Sequence, residues 1–127
     1  RTVVCFSGDG SILMNIQEFA SAAEENVNVK VVLMNNSSLG LVYQQQNLFY
    51  GKRTFSSKFK GVPDFITVAK GFGWQTVDLD QFADPRAPLA AALSSRGPTL
   101  IHASINMDEQ VLPMVAPGAA NKEMIGG

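Results

Sequence analysis

The sequence predicts one α/β domain, built as a three-layer α/β/α arrangement around a mainly parallel sheet. Two features of the chain indicate this class. Short apolar runs rich in β-branched residues recur along it, and segments with helical spacing of apolar residues lie between them. Strands that alternate with helices pair in parallel and are joined by right-handed crossovers. The length of 127 residues and a hydrophobic content of 46% suit one domain with a substantial core.

The predicted elements follow one another without an internal repeat. Four strands are predicted from short apolar runs, at residues 2–6, 29–35, 74–79 and 99–105. Four helices are predicted between and beside them, bounded by capping residues and glycines: from Ser11 to Asn26, over 40–49, from Asp64 to Gly71, and from Asp84 to Gly97. Residues 51–61 indicate a polar loop, and the tail after residue 105 has no clear period.

Charge and cysteine content argue against several classes of function. The 10 basic and 11 acidic residues nearly cancel, and no cluster combines basic with aromatic residues. Nucleic acid and anionic membrane are therefore not predicted as partners. The single cysteine, Cys5, lies in an apolar run and is predicted to be a small buried side chain. The lack of a disulfide framework suits a reducing cytoplasm, and no apolar run is long enough to predict a membrane span.

The first candidate site residue is Asp9, a carboxylate between two glycines in the turn that joins the first predicted strand to the first predicted helix. Such junctions bind anions, because helix N-termini present free N–H groups. The pair Asn35 and Asn36 follows the second strand. A helix of roughly 21 Å followed by a strand of roughly 20 Å returns the chain to its starting level. We therefore expect Asp9 and Asn36 at the same edge of the sheet.

Two familiar phosphate-binding motifs do not fit this site. The dinucleotide fingerprint requires a third glycine where Leu13 stands, and the G-K-[ST] of a P-loop is absent. A carboxylate repels a phosphate unless a cation lies between them, and Mg²⁺ takes hard oxygen ligands together with phosphate oxygens. Asp9, the amide of Asn36 and a main-chain carbonyl from the following turn are therefore predicted to hold magnesium.

The spacing of these residues resembles the thiamine diphosphate signature: "GDG", 24 residues from Ser11 to Met34, and then "NN". The resemblance implies that the main-chain carbonyl of Ser38 joins Asp9 and Asn36 in the metal site. The resemblance also implies that "LGL" (39–41) lies along the cofactor, with Leu41 where relatives commonly have Met. The residues that the resemblance implies for cofactor binding are Gly8, Gly10, Ser11, Asn36, Ser38, Gly40 and Leu41.

Longer segments resemble the catalytic large subunit of acetolactate synthase (acetohydroxyacid synthase), of the bacterial isozyme I type, over nearly all 127 residues. They are "GLVYQQQNLFYGKR", "AKGFG", "GPTLIHASI" and "EQVLPMVAPGAAN". The resemblance implies an enzyme that decarboxylates pyruvate and joins the product to a second 2-ketoacid in branched-chain amino acid synthesis. It identifies residues 1–127 as a C-terminal thiamine diphosphate-binding domain. Since Arg1 opens directly into a strand, we expect a fragment of a larger, multi-domain protein.

The same resemblance implies that part of the active site lies elsewhere. The family activates its cofactor with a glutamate on another domain, contributed by a neighbouring subunit, so no catalytic residue is predicted in this chain. FAD is expected mainly outside it, and a partner catalytic subunit and a small regulatory subunit are the implied partners. Gln45 stands where many relatives have the Trp that favours 2-ketobutyrate, so it is the implied acceptor-selecting residue.

The sequence leaves two other functions open, and several residues have a structural interpretation beside a functional one. A sister thiamine enzyme (pyruvate oxidase, glyoxylate carboligase or 2-ketoacid decarboxylase) would share GDG and NN, but we do not expect it to share both the "QQQ" loop and the tail. A non-catalytic interaction module would keep the fold but would have lost the site. The intact Asp9, Asn35 and Asn36 argue against this interpretation. His102 is predicted to be a hydrogen-bonded structural histidine. The aromatic residues of the loop suit either a substrate entry or loop packing: Phe49, Tyr50 and Phe55.

Overall fold

The computed structural model describes residues 1–126 and confirms the predicted α/β fold. The strands are β1 (Val3–Gly8), β2 (Val29–Asn35), β3 (Gln75–Asp78), β4 (Thr99–Ser104), β5 (Met114–Val115) and β6 (Met124–Ile125). The helices are α1 (Asp9–Met14), α2 (Glu18–Glu24), α3 (Gly40–Phe49), α4 (Phe65–Gly71) and α5 (Arg86–Ser94), with a 3₁₀ turn at Leu79–Gln81.

The four longer strands form one parallel sheet in the order β1-β2-β4-β3. The chain moves in one direction from β1 through β2 to β3, and then steps back to place β4 between β2 and β3. Because crossovers between parallel strands are right-handed, a reversal of direction moves the connecting helix to the opposite face. Helix α5, which joins β3 to β4, therefore lies across the sheet from α1, α2 and α4.

Two hydrophobic clusters, one on each face of the sheet, show this layering. The larger cluster joins α1, α2 and α4 to the sheet and consists of Ile12, Phe19, Val31, Leu33, Phe65, Ala69, Trp74 and Leu100. The smaller cluster packs Ala92 of α5 against Val32 and Ile101. Trp74 stacks on Phe19 with 4.2 Å between ring centroids, and its indole N–H donates to the main-chain oxygen of Phe19 at 2.8 Å. The one polar atom of this large buried ring is thereby satisfied.

The predicted first helix is two short helices in the structure, and it begins earlier than predicted. Helix α1 starts at Asp9 with Gly8 as its N-cap, so Ser11 lies inside the helix and is not its cap. It ends at Asn15, whose amide donates to the main-chain oxygen of Ile12, three residues back. The chain leaves the helix there and re-enters helical conformation at Glu18, the first residue of α2. The predicted stop at Asn26 is confirmed: it has a left-handed φ of 45°, which suits an asparagine after a helix end.

The expectation that β1 and Cys5 are buried is wrong. Cys5 is exposed, and so are the β1 side chains Val3 (58%) and Phe6 (73%). Strand β1 is the edge of the sheet and pairs only with β2 within residues 1–126. An apolar run predicts a strand, but the burial of its side chains depends on which other strands and helices pack against it.

The loop at 51–61 is confirmed as irregular, and the tail contains a short antiparallel pair, β5 with β6, that the sequence did not predict. Strands of two residues are too short to leave a periodic pattern in the sequence. Among the described helices, the longest has 10 residues, and none is long and apolar enough to cross a membrane.

A lysine is buried at the start of the sheet. Lys30 of β2 is 0% exposed, and its ammonium donates to the main-chain oxygen of Gly97 at 2.6 Å and to the hydroxyls of Ser95 and Thr99 at 3.0 and 3.1 Å. Burial lowers the pKa of this ammonium below its usual range. All three N–H groups have partners, so the lysine ties β2 to the segment that leads from α5 into β4.

A hydrogen bond joins the last residue of β3 to β4. Asp78 Oδ1 lies 2.9 Å from His102 Nδ1, and the two residues are register partners in the sheet. Burial by itself would raise the pKa of Asp78, but hydrogen bonds from His102, Gln81 and the amide of Asp80 outweigh it and hold the pKa below its usual value of 3.8.

We expect Asp78 to stabilise the fold only where it is ionised. Because its folded pKa is depressed, its contribution is complete above about pH 5 and is lost as the pH falls below about 4. Asp78→Asn keeps an oxygen acceptor for His102 but does not titrate. Between about pH 5 and about pH 3, the free energy of unfolding should therefore fall less in Asp78→Asn than in the wild type. Denaturant unfolding at each pH measures this, with Glu24→Gln on the exposed side of α2 as the control. Parallel curves for the wild type and Asp78→Asn would contradict the prediction.

Candidate functional site

A cavity of about 300 Å³ lies at the carboxyl ends of β1 and β2. Every residue that the sequence predicted for cofactor or metal binding lines it: Gly8, Asp9, Gly10, Ser11, Asn36, Ser38, Gly40 and Leu41. Leu39, the first residue of the "LGL" stretch expected along the cofactor, lines the cavity as well. Four further lining residues, all apolar, were missed: Met14, Met34, Val42 and Ile105. Met34 and Ile105 flank the ends of strands, which is the only signal in the sequence that could have located them.

Asp9 is the charged group of this cavity and the first residue of α1. It is 1% exposed, and its Oδ1 accepts the amide of Gly10 at 2.8 Å. Its Oδ2 is buried and has no hydrogen-bond partner within residues 1–126. A buried carboxylate oxygen without a partner carries a desolvation cost, and a bound cation is a partner that offsets it. The donor set of carboxylate, amide and carbonyl oxygens at this cavity suits a hard cation such as Mg²⁺.

The turn after β2 supplies the other predicted ligands, and there the structure adds a constraint. Asn36 Oδ1 accepts the amide of Ser38 at 3.1 Å and its hydroxyl at 3.0 Å. Ser38 is 2% exposed, so the hydroxyl is enclosed. An amide oxygen has two lone pairs. Coordination of a metal by Asn36 therefore requires the Ser38 hydroxyl to turn away and give up its hydrogen bond.

Main-chain hydrogen bonds hold this turn in a defined shape. Ser37 has a left-handed φ of 56°, and its amide donates to Asn35 Oδ1 at 3.1 Å. Its carbonyl accepts the amide of Phe59 at 2.9 Å, and the amide of Leu39 donates to the carbonyl of Ser57 at 2.8 Å. The loop at 51–61 thus supports the turn from outside.

Gly10 lets the turn approach the start of α1 closely, and Gly40 lets the start of α3 pack against Asn36. A Cβ on Gly10 would lie 2.6 Å from Leu39 Cδ2, and a Cβ on Gly40 would lie 2.6 Å from Asn36 Nδ2. Both distances are well inside van der Waals contact, so a side chain at Gly40 would push Asn36 out of its position.

Gln45 lies beside this cavity and not in it. It lines an adjoining cavity of about 430 Å³ with Val42, Gln46, Tyr50 and Arg53, and Val42 borders both cavities. Gln45 is exposed and one helical turn after Leu41 on the same side of α3. The structure therefore places the residue predicted for substrate selection next to the residues predicted for the cofactor. Of the three loop aromatics, Tyr50 lines the Gln45 cavity, while Phe55 is 82% exposed.

The two glutamines on either side of Gln45 have structural roles that the sequence did not indicate. Gln44 is buried and exchanges two hydrogen bonds with the main chain of Val111, at 2.8 and 3.0 Å. Gln46 exchanges two with the main chain of Phe55, at 2.9 and 3.1 Å, and accepts the hydroxyl of Ser57 at 2.7 Å. Gln44 thus attaches the tail to α3, Gln45 faces outward, and Gln46 attaches the loop at 51–61 to α3.

A second group of potential metal ligands consists of Asp78, Asp80 and His102, whose ligand atoms lie within 4.8 Å of one another. Nδ1 is the ring nitrogen that faces the carboxylates, at 2.9 Å from Asp78 and 3.6 Å from Asp80. A carboxylate only accepts hydrogen bonds, so Nδ1 donates the proton of its hydrogen bond with Asp78. His102 Nε2 lies 3.1 Å from Asn35 Nδ2, so both ring nitrogens have partners, in keeping with the structural role expected for this histidine.

Comparison with known proteins places this geometry in a family. Residues 1–103 match the family model described as "Thiamine pyrophosphate enzyme, C-terminal TPP binding domain", where thiamine pyrophosphate is thiamine diphosphate. The matched range includes GDG, NN and every lining residue of the first cavity except Ile105.

Individual relatives extend the similarity over almost the whole chain. The chain is 53% identical to "Acetolactate synthase isozyme 1 large subunit" of Escherichia coli (strain K12), over 99% of the chain and 22% of that protein. It is 41% identical to the isozyme 2 large subunit of the same organism, over 98% and 23%, and 44% identical to "Acetolactate synthase large subunit" of Parasynechococcus marenigrum (strain WH8102), over 99% and 21%. The chain therefore spans about a fifth of the length of these relatives. On the family match and the geometry together, the chain belongs to the thiamine pyrophosphate enzymes, as their C-terminal TPP-binding domain.

Proposed function

We propose that this chain is the domain of an acetolactate synthase that binds the diphosphate end of thiamine diphosphate together with Mg²⁺. The observation that carries the proposal is the buried, partnerless Oδ2 of Asp9 in a cavity lined by every predicted cofactor residue. The match to acetolactate synthase large subunits over 98–99% of the chain supports this enzyme over a sister thiamine enzyme or a non-catalytic module. Because the chain spans about a fifth of those relatives, we propose that residues 1–127 are one domain of a longer enzyme.

In this proposal each residue predicted for cofactor or metal binding has a defined role. Asp9 Oδ2, the side-chain oxygen of Asn36 and the main-chain oxygen of Ser38 hold the metal. The glycines Gly8 and Gly10, with the amide of Ser11, allow the diphosphate to approach the start of α1. Along α3, Gly40 and Leu41 lie beside the rest of the cofactor. These residues neutralise and position charge, and none of them transfers a proton.

The remaining catalytic groups are proposed to lie outside this chain. Thiamine diphosphate, when bound, supplies the nucleophilic carbon that attacks a 2-ketoacid and stabilises the negative charge left after loss of CO₂. We propose that the glutamate that activates it, the FAD site, a partner catalytic subunit and a small regulatory subunit belong to the rest of a cytoplasmic enzyme. The substrates would be two pyruvates, or pyruvate with 2-ketobutyrate, in branched-chain amino acid synthesis.

We expect Asp9→Ala in the full-length enzyme to abolish magnesium-dependent binding of thiamine diphosphate, because the diphosphate loses its bridging cation. Calorimetric titration of the cofactor, with and without Mg²⁺, measures this. Asp9→Asn is the matched control: it keeps an oxygen for the amide of Gly10, so its loss of affinity reports the missing charge. Wild-type affinity in Asp9→Ala would rule out the metal assignment.

We expect Gln45→Trp in the full-length enzyme to raise the preference for 2-ketobutyrate over pyruvate as acceptor. The added apolar contact should change the discrimination by about 1–3 kcal/mol. The ratio of the two products in a competition assay measures it. Leu48→Trp is the control, since Leu48 is also exposed and lies one turn further along α3. An unchanged ratio in Gln45→Trp would show that this position does not select the acceptor.

We expect the purified 127-residue chain to form no acetolactate, because the glutamate that activates the cofactor would be missing. A colorimetric acetolactate assay with pyruvate, Mg²⁺ and excess thiamine diphosphate tests this, with an intact synthase in parallel. The exposed apolar side chains of β1 should also make the isolated chain self-associate in solution, which light scattering measures. Turnover close to that of the intact synthase would contradict the proposal that the active site is shared with other domains.

A further inference from the structure

We propose that His102, supported by Asp78, is a positioning residue that sets the shape of the metal-binding turn through the amide of Asn35. The inference rests on the proposed function, because it takes Asn36 and Ser38 in that turn as metal ligands. It concerns three residues that do not line the cofactor cavity: Asn35, Asp78 and His102.

The four groups involved form a continuous relay of hydrogen bonds. Asp78 Oδ1 lies 2.9 Å from His102 Nδ1, and His102 Nε2 lies 3.1 Å from Asn35 Nδ2. Asn35 Oδ1 then accepts the amide of Ser37 at 3.1 Å. The relay runs from the end of β3 across β4 and β2 into the turn.

The direction of every hydrogen bond in this relay is determined by its two ends. The carboxylate of Asp78 only accepts, so His102 carries its proton on Nδ1, and the neutral ring leaves Nε2 as an acceptor. The main-chain amide of Ser37 only donates, so Asn35 must present its oxygen to Ser37 and its NH₂ group to His102. A second carboxylate, Asp80 at 3.6 Å, faces the same Nδ1 and favours the same arrangement.

The orientation of the Asn35 amide matters because of the conformation that follows it. Ser37 has a φ of 56°, which is unfavourable for a residue with a side chain unless local hydrogen bonds support it. If the amide of Asn35 were reversed, its NH₂ group would face the N–H of Ser37 and this support would be lost. The residues on either side of Ser37 are Asn36 and Ser38, so a loosened turn would separate two of the three proposed metal ligands.

His102 is placed to act through Asn35 and not by touching the cofactor. Its side chain is 13% exposed, at the border of a separate cavity of about 290 Å³. Asn35 and Asp78 border that cavity as well, whereas the residues predicted for cofactor binding do not. The effect of His102 on binding is therefore indirect.

Replacement of His102 in the full-length enzyme tests the inference. We expect His102→Leu to weaken Mg²⁺-dependent binding of thiamine diphosphate by about 10-fold, the lower end of the loss that follows removal of an outer partner of a metal ligand, because His102 acts on the turn through Asn35 and contacts no ligand itself. His102→Gln should bind more tightly than His102→Leu, because an amide offers an acceptor to Asn35 and a donor to Asp78. A role in packing alone predicts the reverse order, since leucine suits the apolar strand. Calorimetric titrations give the affinities, and that reverse order would overturn the inference.

A double-mutant cycle tests whether His102 acts through Asn35. Asn35→Ala should weaken binding at least as much as His102→Leu, and adding His102→Leu to Asn35→Ala should produce little further loss. Fully additive losses would overturn the inference, because the two residues would then act separately. The cycle of Asn35→Ala with His102→Ala, which also removes the acceptor for Asn35, gives the same test if His102→Leu does not fold.

Two control variants, Asp80→Ala and Asp9→Ala, test whether the loss of affinity is specific to the relay. Asp80→Ala removes a carboxylate beside the same ring without cutting the relay, so its affinity should stay within about twofold of the wild type. A loss as large as that of His102→Leu would overturn the inference. If Asp9→Ala loses cofactor binding while His102→Leu binds normally, the inference fails and the proposed function stands. If the wild-type enzyme shows no Mg²⁺-dependent binding, both fail.

Discussion

The parallel pairing of β1 with β2 is the constraint on which the candidate site depends. Its register sets Gly8 opposite Met34, so both strands end at the same level and Asp9 and Asn36 emerge side by side. A slip of one residue would move the two groups about 3.3 Å relative to each other and would turn every β2 side chain to the other face of the sheet. The alternation of Val31 and Leu33 with Val32 between two separate cores prevents such a slip. The packing of β2 thus determines the geometry of the metal site.

Elements bounded by local signals were predictable from the sequence. The predicted ranges 29–35 and 40–49 coincide with β2 and α3, because an apolar run ending in asparagines and a helical run beginning after glycine are recognisable in isolation. The break between α1 and α2 and the exposure of β1 were not predictable. No proline or glycine marks the break, which falls within residues 14–18, and the exposure of β1 depends on which elements lie on either side of the strand.

The residues around the candidate cavity were largely predictable, whereas their hydrogen-bond partners were not. Glycines, a carboxylate and an asparagine pair at strand ends are visible in the chain, and the structure brings them together. The partners of Gln44 and His102 lie 67 residues away or at the end of another strand, and no periodicity connects such positions. The occupied oxygen of Asn36 is likewise a property of the folded turn, since its partner Ser38 becomes enclosed only there.

The enclosure of Lys30 makes it a natural reporter of the opening of this domain. The other lysines, at 52, 58, 60, 70 and 122, are all exposed and are open to amine-reactive reagents in the folded state. Lys30 is sealed at the end of the sheet opposite the cavity, with its ammonium held by three oxygens. Its modification therefore requires this end of β2 to separate from the segment that leads from α5 into β4. The rate of covalent labelling at this one nitrogen would follow the opening of that end of the sheet, with the other lysines as internal standards.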